Sequence, residues 1–336
     1  MLMTFRVLVM ERAWPGLEIE RAILEPVGAE VLEIPAVDED HLCELVADID
    51  ALAVCWSKIS PRVLEAAPRC RILARLGAGL DNVPLPAATR LGMLVTNAPD
   101  YCVQEVADHT LAVILATARK LPFFHHRTKS GEYNLQTGPD MHRLRGRTVG
   151  LIGYGRIGQE VAQRATALGL QVLVTTRTGT LPADMESQNV RCVPLEDLLK
   201  QSDWVSLHAP LTDVTRHLVN AGFLSQMKPT AWLINTARGA LVDDEALWTA
   251  LQASQLAGAA LDVFNPEPAD LSKPLFRDER VLVTPHSAFL SVESLIELRT
   301  RVAQQIADAL TGKRPEFVVN PDVFHHPACR LPGISA

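Results

Sequence analysis

Short apolar segments recur along the chain, separated by stretches in which apolar residues follow a helical spacing. Because the apolar segments are nearly continuous, they predict strands of parallel sheets that helices cover on both faces. The segments form two series on either side of a glycine-rich turn, and each series is sufficient for one domain. The predicted strands are Phe5–Met10, Ala29–Ile34, Ala51–Trp56, Ile72–Leu76 and Met93–Thr96 in the first series, and Val149–Ile152, Gln171–Thr175, Trp204–Leu207, Trp232–Asn235, Ala259–Val263 and Val281–Thr284 in the second.

The regions between and after the two series have helical patterns. Val103–Leu121 carries apolar residues at helical spacing, Pro122 is expected to end that helix, and Ser130–Arg147 is predicted to be a loop. After the last strand, Val292–Leu310 is predicted to be a long amphipathic helix. We therefore predict an α/β fold with two doubly wound parallel-sheet domains. Residues 102–287 form one domain, and residues 1–101 form the other with a C-terminal return of residues 288–336.

The composition limits the class of protein. The chain has 336 residues, of which 48% are hydrophobic and 21% are charged, as expected for globular domains. The formal net charge of −7 argues against a nucleic-acid partner. No apolar run reaches the ~18–20 residues that span a bilayer, and Met1–Met10 is interpreted as a first strand, not a signal peptide. The six scattered cysteines favour reduced thiols in a cytoplasmic protein without a metal site.

The glycine-rich turn lies in Thr148–Ala162 and reads Gly153-x-Gly155-x-x-Gly158. Gly153 permits a tight turn, Gly155 lets the backbone approach a pyrophosphate, and Gly158 allows close packing of helix on strand. The helix that follows directs its free N–H groups and positive dipole end at the phosphates. Such a motif alone is weak evidence, because glycine turns often only join a strand to a helix. Here the preceding strand and the following helix favour a dinucleotide site.

Reactive side chains follow three strands of the second series. Arg238 comes after Trp232–Asn235, Glu267 after Ala259–Val263, and His286 after Val281–Thr284. Arg238 is suited to hold a carboxylate, and His286 to exchange a proton with a carbonyl or hydroxyl oxygen. Glu267 is suited to orient His286 and to stabilise its charged form. Each alone has a plainer interpretation, as a surface arginine, a loop charge or a strand-end cap. Together, beside a nicotinamide, they form a set for reducing a 2-oxo acid.

With these residues and further motifs, the sequence resembles the D-isomer-specific 2-hydroxyacid dehydrogenase family. The resemblance implies an NAD(P)-dependent oxidoreductase that interconverts a small 2-oxo acid and its D-2-hydroxy acid, with Arg238, Glu267 and His286 as catalytic residues. It also implies a Rossmann-type dinucleotide-binding domain, a flavodoxin-like substrate domain, a cleft between them as the active site, and a homodimer built through the nucleotide-binding lobe. The shared motifs are Leu76–Asn82, Thr96–Pro99, Glu105–Thr110, Gly153–Gly158, Leu207–Thr212, Asn235–Gly239, Gly258–Val263 and Thr284–His286.

The resemblance also implies ligand-binding residues at matching positions. The expected substrate-binding residues are Leu76, Gly77, Ala78, Tyr101, Arg238 and Phe289, of which the first three would offer backbone N–H groups to the substrate carboxylate. The expected cofactor-binding residues are Gly153, Gly155, Arg156, Ile157, Gly158, Thr176, Arg177, Ala209, Pro210, Thr236, Ala237, Asp262, His286 and Ala288. His109 and His208 also match family positions, and we interpret both as structural residues.

Two segments suggest a branch of the family. Pro99–Cys102 and Pro285–Phe289 resemble the branch that contains D-lactate dehydrogenases and the C-terminal-binding protein corepressors, which place an aromatic residue three positions after the histidine. This resemblance leaves an alternative function open: a dinucleotide-sensing scaffold that uses the dehydrogenase fold to bind proteins. The enzyme is favoured because no extension for partner binding is visible.

The predicted strand Gln171–Thr175 departs from the NAD pattern at its end. An Asp or Glu that binds the ribose hydroxyls is expected there, but the chain has Thr176 followed by Arg177 and Thr178. A carboxylate would repel a 2′-phosphate, whereas Arg177 is able to pair with one. The sequence therefore favours NADP over NAD, with an exposed loop arginine as the alternative interpretation. Phe289 favours an apolar side chain on the 2-oxo acid over a phosphate.

Overall fold

A computed structural model of the protein describes residues 5–181 and 189–333. The chain divides into two compact units, Met1–Tyr101 with Ser291–Ala336, and Cys102–Leu290. Each unit is an α/β fold around one sheet in which the paired strands run parallel, as predicted. The second unit continues to Leu290, past the predicted limit at residue 287, because the loop after the last strand stays bonded to its own sheet.

Strands and helices alternate along both units of the described chain. The strands are β1 Phe5–Met10, β2 Ala29–Ile34, β3 Ala51–Val54, β4 Ile72–Arg75, β5 Leu94–Thr96, β6 Thr148–Ile152, β7 Gln171–Thr175, β8 Val190–Cys192, β9 Trp204–Leu207, β10 Trp232–Asn235, β11 Gly258–Leu261 and β12 Val281–Val283. The helices are α1 Glu18–Leu24, α2 Glu39–Leu45, α3 Pro61–Glu65, α4 Leu85–Arg90, α5 Val103–Ala118, α6 Leu121–Lys129, α7 Arg156–Ala167, α8 Leu195–Gln201, α9 Ala221–Leu224, α10 Asp244–Gln252, α11 Pro274–Arg277 and α12 Val292–Leu310.

The first unit has the strand order β2-β1-β3-β4-β5, which is the flavodoxin-like order. Its central strands β3 and β4 are buried at every position, since helices cover both faces. Leu8, Leu52 and Leu73 of β1, β3 and β4 belong to one buried apolar cluster of this unit. The C-terminal helix α12 is tied to α1 by a buried ion pair in which the Arg299 guanidinium donates to both Glu20 carboxylate oxygens, at 2.8 and 2.7 Å. With both oxygens satisfied, this pair sets the orientation of α12 on the unit.

The second unit has the strand order β12-β11-β10-β9-β6-β7-β8. This is the Rossmann order with β12 added beyond β11, and apolar clusters lie on both faces of the sheet. The chain leaves β6 for β7 on one side and later returns to place β9 on the other side. The order of the strands reverses at that point, and in open α/β sheets ligands bind beyond the carboxyl ends of the strands at such a reversal.

The helix predicted for Val103–Leu121 is where the structure differs most from the sequence expectation. Helix α5 ends at Ala118, and Lys120 takes a left-handed conformation with φ of 52°. Pro122 does not mark a helix end, because it lies in the first turn of α6. A proline fits there, since the first N–H groups of a helix have no intrahelical partner. Several predicted strands are also one or two residues too long, and the short edge strand β8 was not predicted at all.

Candidate active site

The three glycines after β6 differ in backbone conformation and in the space around them. Gly153 has φ of 99°, and a Cβ there would lie 2.6 Å from the carbonyl oxygen of His208. At Gly158 a Cβ would lie 2.7 Å from the carbonyl oxygen of Gly153, so any side chain would push α7 off the strand. A Cβ at Gly155 would meet nothing within 4 Å, and this residue is the N-cap of α7. The open space at a helix start fits a dinucleotide pyrophosphate.

The carboxyl ends of β7, β6, β9, β10, β11 and β12 lie in that order along one edge of the second sheet. The predicted cofactor residues all follow these ends, and the reversal of strand order falls between β6 and β9. Ala209 lies at the glycine turn, since its backbone nitrogen is 3.0 Å from the position of a Cβ on Gly153. From β7 to β12 the order is Thr176 and Arg177; then Gly153, Gly155, Arg156, Ile157 and Gly158; then Ala209 and Pro210; then Thr236 and Ala237; then Asp262; and last His286 and Ala288.

The residues after β7 form a compact hydroxyl-rich turn. The Thr176 hydroxyl donates to the carbonyl of Thr180 at 3.1 Å and lies 3.3 Å from the Thr178 hydroxyl. Arg177 is exposed at the tip of the turn and forms no ion pair or hydrogen bond with any described residue. The charged group nearest in sequence to the expected ribose position is therefore a cation, which suits a 2′-phosphate.

The turn that carries Arg238 is shaped by the buried side chain of Asn235, the last residue of β10. Its amide nitrogen donates to the carbonyl of Arg238 at 2.8 Å, and its amide oxygen accepts from the backbone of Ala237 at 3.0 Å. The Arg238 guanidinium in turn donates to the carbonyl of Ala237 at 2.7 Å. Gly239 must lack a side chain, because a Cβ would lie 2.0 Å from the backbone of Phe264. The Arg238 turn thus packs directly against the loop after β11.

Glu267 and His286 meet in an ion-pair geometry. Glu267 Oε2 lies 2.7 Å from His286 Nδ1, and Glu267 Oε1 accepts from the backbone N–H of Phe264 at 2.8 Å. Burial alone would raise the pKa of Glu267, but His286, the Phe264 N–H and the charge of Arg238 together hold that pKa below its ordinary value. The carboxylate is therefore ionised at neutral pH and only accepts hydrogen bonds. His286 Nδ1 must then carry the proton of this hydrogen bond, and Nε2 is the ring nitrogen that Glu267 does not engage.

The backbone of His286 is held by the buried carboxylate of Asp262. His286 has φ of 51°, and its N–H donates to the carbonyl of Asp262 at 2.7 Å. The Asp262 carboxylate accepts from the Thr284 hydroxyl at 2.5 Å and from the backbone N–H groups of Ser287 and Ala288 at 2.9 Å each. These bonds occupy both carboxylate oxygens within the chain. Asp262 thus shapes the loop that carries His286, besides its predicted role in cofactor binding.

Three further rings, one aromatic and two imidazole, lie near these residues. Phe289 packs edge-on against His286, with ring centroids 5.9 Å apart at an interplanar angle of 84°. His208 follows β9, and its Nε2 lies 2.9 Å from the Ser206 hydroxyl. Burial lowers the pKa of His208 to about 4, so this ring is neutral at physiological pH. His109 on α5 is placed 3.3 Å from the Thr284 hydroxyl.

The predicted substrate loop of the first unit follows β4. The N–H of Leu76 donates to the carbonyl of Val54 at 2.8 Å, and the N–H of Gly77 donates to the carbonyl of Arg75 at 2.9 Å. Of the three predicted amides, only that of Ala78 has no backbone or side-chain acceptor among the described residues. Tyr101, the last residue of the first of this unit's two segments, is 8% exposed. The loop and Tyr101 belong to the first unit, and the other predicted residues to the second.

Other kinds of site find no support in the part of the chain that the structure describes. No group of three or more His, Cys, Asp or Glu side chains is arranged to hold a metal ion among those residues. Within the same residues, no helix is both long enough and apolar enough to cross a membrane.

Sequence reasoning missed two positioning residues of this site. Asn235 and Gly239 are the first and last residues of the shared motif Asn235–Gly239, yet their roles depend on contacts with residues that come later in the chain. The signal for Asn235 was present, because a polar residue at the buried end of a strand needs hydrogen-bond partners. For Gly239 the contact with Phe264 is a tertiary one, and the sequence alone gave no indication of it.

Comparison with known families gives one dominant match. The sequence model of the D-isomer specific 2-hydroxyacid dehydrogenase NAD binding domain matches residues 111–288. A glyoxylate reductase of Pyrococcus furiosus is 39% identical over 317 residues, covering 92% of this chain and 92% of the relative. Among solved structures, the D-lactate dehydrogenase of Aquifex aeolicus, complexed with NAD and lactic acid, has a TM-score of 0.83 at 28% identity and covers 91% of this chain and 96% of its own.

A second solved structure is similar to the same extent. An acyclic imino acid reductase in complex with NADPH and D-Arg has a TM-score of 0.83 at 26% identity, covering 94% of this chain and 99% of its own. The similar structures thus include one with NAD and one with NADPH. The similarity extends across both units and is not confined to the nucleotide-binding part.

Proposed function

The chain belongs to the D-isomer-specific 2-hydroxyacid dehydrogenase family, and we propose that Arg238, Glu267 and His286 carry out its reaction. The protein is an NAD(P)-dependent oxidoreductase that interconverts a 2-oxo acid and a 2-hydroxy acid. The observation that carries the proposal is the 2.7 Å contact between Glu267 and His286. The two residues follow β11 and β12, and Arg238 follows β10 of the same sheet. The scaffold alternative is not favoured, because the relatives that match nearly the whole chain bear the names of enzymes.

The residues divide the chemistry between them. The dinucleotide, when bound, supplies a hydride to the carbonyl carbon or accepts one from it. In the direction of reduction, Arg238 holds the substrate carboxylate with paired hydrogen bonds and so positions the adjacent carbonyl. His286 donates a proton from Nε2 to the carbonyl oxygen, and Glu267 stabilises the charge that His286 carries before that transfer. Two electrons and two hydrogens are added in total, and we propose the D isomer of the 2-hydroxy acid as the product.

The substrate that we propose is a small 2-oxo acid without a phosphate. The Phe289 and His286 ring centroids are 5.9 Å apart, and we propose that the apolar ring of Phe289 lines the position of the substrate side chain. The relative of Pyrococcus furiosus is named a glyoxylate reductase, and glyoxylate is the smallest acid of this class. Leu76, Gly77, Ala78 and Tyr101 are proposed to complete the substrate site.

The test is a substrate screen with both cofactors. We expect turnover of glyoxylate, pyruvate or hydroxypyruvate, with lower kcat/KM for bulky aromatic 2-oxo acids and for phosphorylated ones. Turnover of none of them, together with tight binding of the dinucleotide, would contradict the proposed reaction and favour a scaffold. A strong preference for a phosphorylated acid would contradict the proposed role of Phe289 but not the proposed reaction.

We propose NADPH as a cofactor that is used at least as well as NADH. Arg177 is exposed and unpaired among the described residues, and Thr176 replaces the expected carboxylate. The Thr176, Thr178 and Thr180 hydroxyls add neutral donors near the same point. Among the described residues of this turn, a 2′-phosphate would meet one cation and no carboxylate.

The remaining proposals concern organisation. The first unit is proposed as the substrate domain and the second as the dinucleotide-binding domain. We propose a homodimer built through the second unit, where apolar side chains are exposed on Leu121–Met141: Tyr133 is 94% and Leu135 is 84% exposed. Isolated apolar side chains are ordinary on a surface, but several within one segment suit an interface. Equilibrium sedimentation tests this, and a monomer would contradict it.

A cytoplasmic location is proposed from the cysteines. Cys43, Cys55, Cys70, Cys102, Cys192 and Cys329 are all free thiols, which fits a reducing compartment. We also propose that nucleic acid is not a partner, because a net charge of −7 disfavours association with a polyanion.

A further inference from the structure

A cavity of about 50 Å³ lies in the second unit, at the edge of the sheet opposite the glycine turn. Trp204 and Trp232, the first residues of β9 and β10, line it together with Lys120, Arg147 and Asp203. One strand length, about 13–17 Å, separates this edge from the carboxyl ends of the same strands. The cavity is therefore remote from Arg238, Glu267 and His286, and nothing in the proposed reaction uses it.

Two buried tryptophans form the apolar side of the cavity. Trp204 is 7% exposed, and its indole N–H donates to the Thr117 hydroxyl at 2.9 Å. Trp232 is 9% exposed, and its indole N–H donates to no described residue. Two buried indoles thus offer apolar contact area, and one of them retains a hydrogen-bond donor without an acceptor.

The charges around the cavity do not cancel. Asp203 is satisfied, because it accepts from Arg147 at 3.0 Å, from Lys228 at 3.1 Å and from the Thr148 backbone at 2.9 Å. Burial would raise the pKa of Asp203, but these partners hold it below its ordinary value. Asp140 adds an exposed carboxylate to the lining of the cavity. The region then has two carboxylates, Asp140 and Asp203, and three cations, so one positive charge is in excess. The cations are Lys120, Arg147 and Lys228.

The unbalanced cation is Lys120. Its ammonium is half-buried, lies 5.4 Å from the centre of the Trp232 ring, and has no carboxylate or carbonyl partner among the described residues. Its position follows from the left-handed turn between α5 and α6, which points the lysine back to the sheet edge. Burial lowers the pKa of Lys120, because a desolvated ammonium without an acceptor is unfavourable. An anion in the cavity would remove that cost.

We propose that this cavity binds a small carboxylate of two or three carbons, with the carboxylate on Lys120 and the carbon part on the indoles of Trp204 and Trp232. The volume excludes a nucleotide and admits a few heavy atoms. A carboxylate matches a single excess positive charge and has an apolar part for the indoles. Inorganic phosphate has no apolar part, and an apolar molecule would leave the ammonium unpaired.

The probe is acetate, measured by saturation-transfer NMR on its methyl protons without dinucleotide. Because Arg238 is itself proposed to bind carboxylates, the measurement uses Arg238→Gln as the background. We expect saturable binding that Lys120→Met weakens about tenfold or more, the loss typical of a charge-assisted contact. The matched control is Lys200→Met, which removes an exposed lysine of α8 and should leave the affinity unchanged.

Three outcomes would overturn the proposal. These are no saturable binding in the Arg238→Gln background, equal affinities in the Lys120→Met and Lys200→Met variants, or tighter binding of inorganic phosphate than of acetate at the same site. Trp232→Leu gives an independent check, since it replaces the indole proposed to contact the carbon part of the ligand with a smaller apolar side chain. It is expected to weaken acetate binding severalfold, and unchanged affinity would contradict the placement of the ligand. None of these results bears on reductase activity, which the unmodified protein tests separately.

Discussion

Glu267 Oε2 and His286 Nδ1 lie 2.7 Å apart, although each side chain comes from the loop after a different strand. The two loops are neighbours because β11 and β12 pair in parallel, with Leu261 opposite Val283. The pairing of these strands therefore sets the distance between the two groups. Glu267 acts through His286, so it is a positioning residue, whereas His286 is the group proposed to touch the substrate.

Replacing His286 with Ala should lower kcat by about 10²–10⁴-fold, because the carbonyl oxygen loses its proton donor. Steady-state kinetics with the best 2-oxo acid measures the effect. His125→Ala is the matched control, since this exposed histidine of α6 lies in the same unit. Normal turnover by the His286→Ala protein would contradict the proton-transfer role.

Replacing Arg238 with Gln should chiefly raise KM for the 2-oxo acid, by roughly 10–100-fold, through loss of a charge-assisted contact with its carboxylate. Asn235 and Gly239 keep the turn in place, so the dinucleotide should still bind normally. Substrate KM and dinucleotide Kd are measured on the same variant. Equal losses in both would indicate a collapsed turn, and an unchanged KM would exclude the carboxylate role.

Replacing Thr176 with Asp should shift cofactor preference toward NADH by about 10–100-fold, because the new carboxylate repels a 2′-phosphate. Replacing Arg177 with Gln should act in the same direction by loss of the cation. The readout is the ratio of kcat/KM for NADPH and NADH, with Arg191→Gln on the exposed side of β8 as the control. A strong preference of the unmodified enzyme for NADH would mean that Arg177 does not contact the cofactor.

Replacing Gly155 with Ala should weaken dinucleotide binding at least tenfold without lowering the melting temperature. A Cβ there meets no protein atom within 4 Å, so it would intrude only on a bound pyrophosphate. Replacing Gly158 with Ala is the contrasting variant, since its Cβ would lie 2.7 Å from a backbone oxygen and should destabilise the fold. Normal dinucleotide affinity in Gly155→Ala would argue against a pyrophosphate at this turn.

Acid should destabilise the folded protein partly through His208. Burial lowers the pKa of this residue to about 4 from its ordinary 6.5, so between these values the unfolded chain binds one more proton than the folded chain. The contribution of His208 to stability is therefore present above about pH 6.5 and is lost as the pH falls toward 4. Denaturation at pH 7 and pH 5 should show this loss, on the order of 1–2 kcal/mol.

The control for the acid effect is a residue that cannot titrate in this range. His208→Asn should lose less stability between pH 7 and pH 5 than the unmodified protein, while His125→Asn, at an exposed position, should behave as the unmodified protein does. An identical pH dependence in all three proteins would show that His208 is not the titrating group.

The sequence by itself determined the parallel α/β class, the two sheets and the family. Buried parallel strands such as β3 and β11 are continuous apolar runs, and a run of that kind can be recognised without a structure. The glycine turn and the reactive residues after the strands could also be predicted from the sequence. The conformation of a tight turn depends on its glycines, and the chemistry of Arg238 or His286 depends on the residue type.

Only the tertiary structure decided which groups meet and how they are held. Two of these features join residues that are distant in sequence: Gly239 packs against Phe264, and Asp262 holds the loop that carries His286. The third, the left-handed turn at Lys120, overrides a local helical preference and replaces one long helix with two. Such contacts depend on strand pairing and packing, which a periodicity along the chain does not encode. The strand ends supply the reacting groups, and the order of the strands in the sheet sets which of them become neighbours.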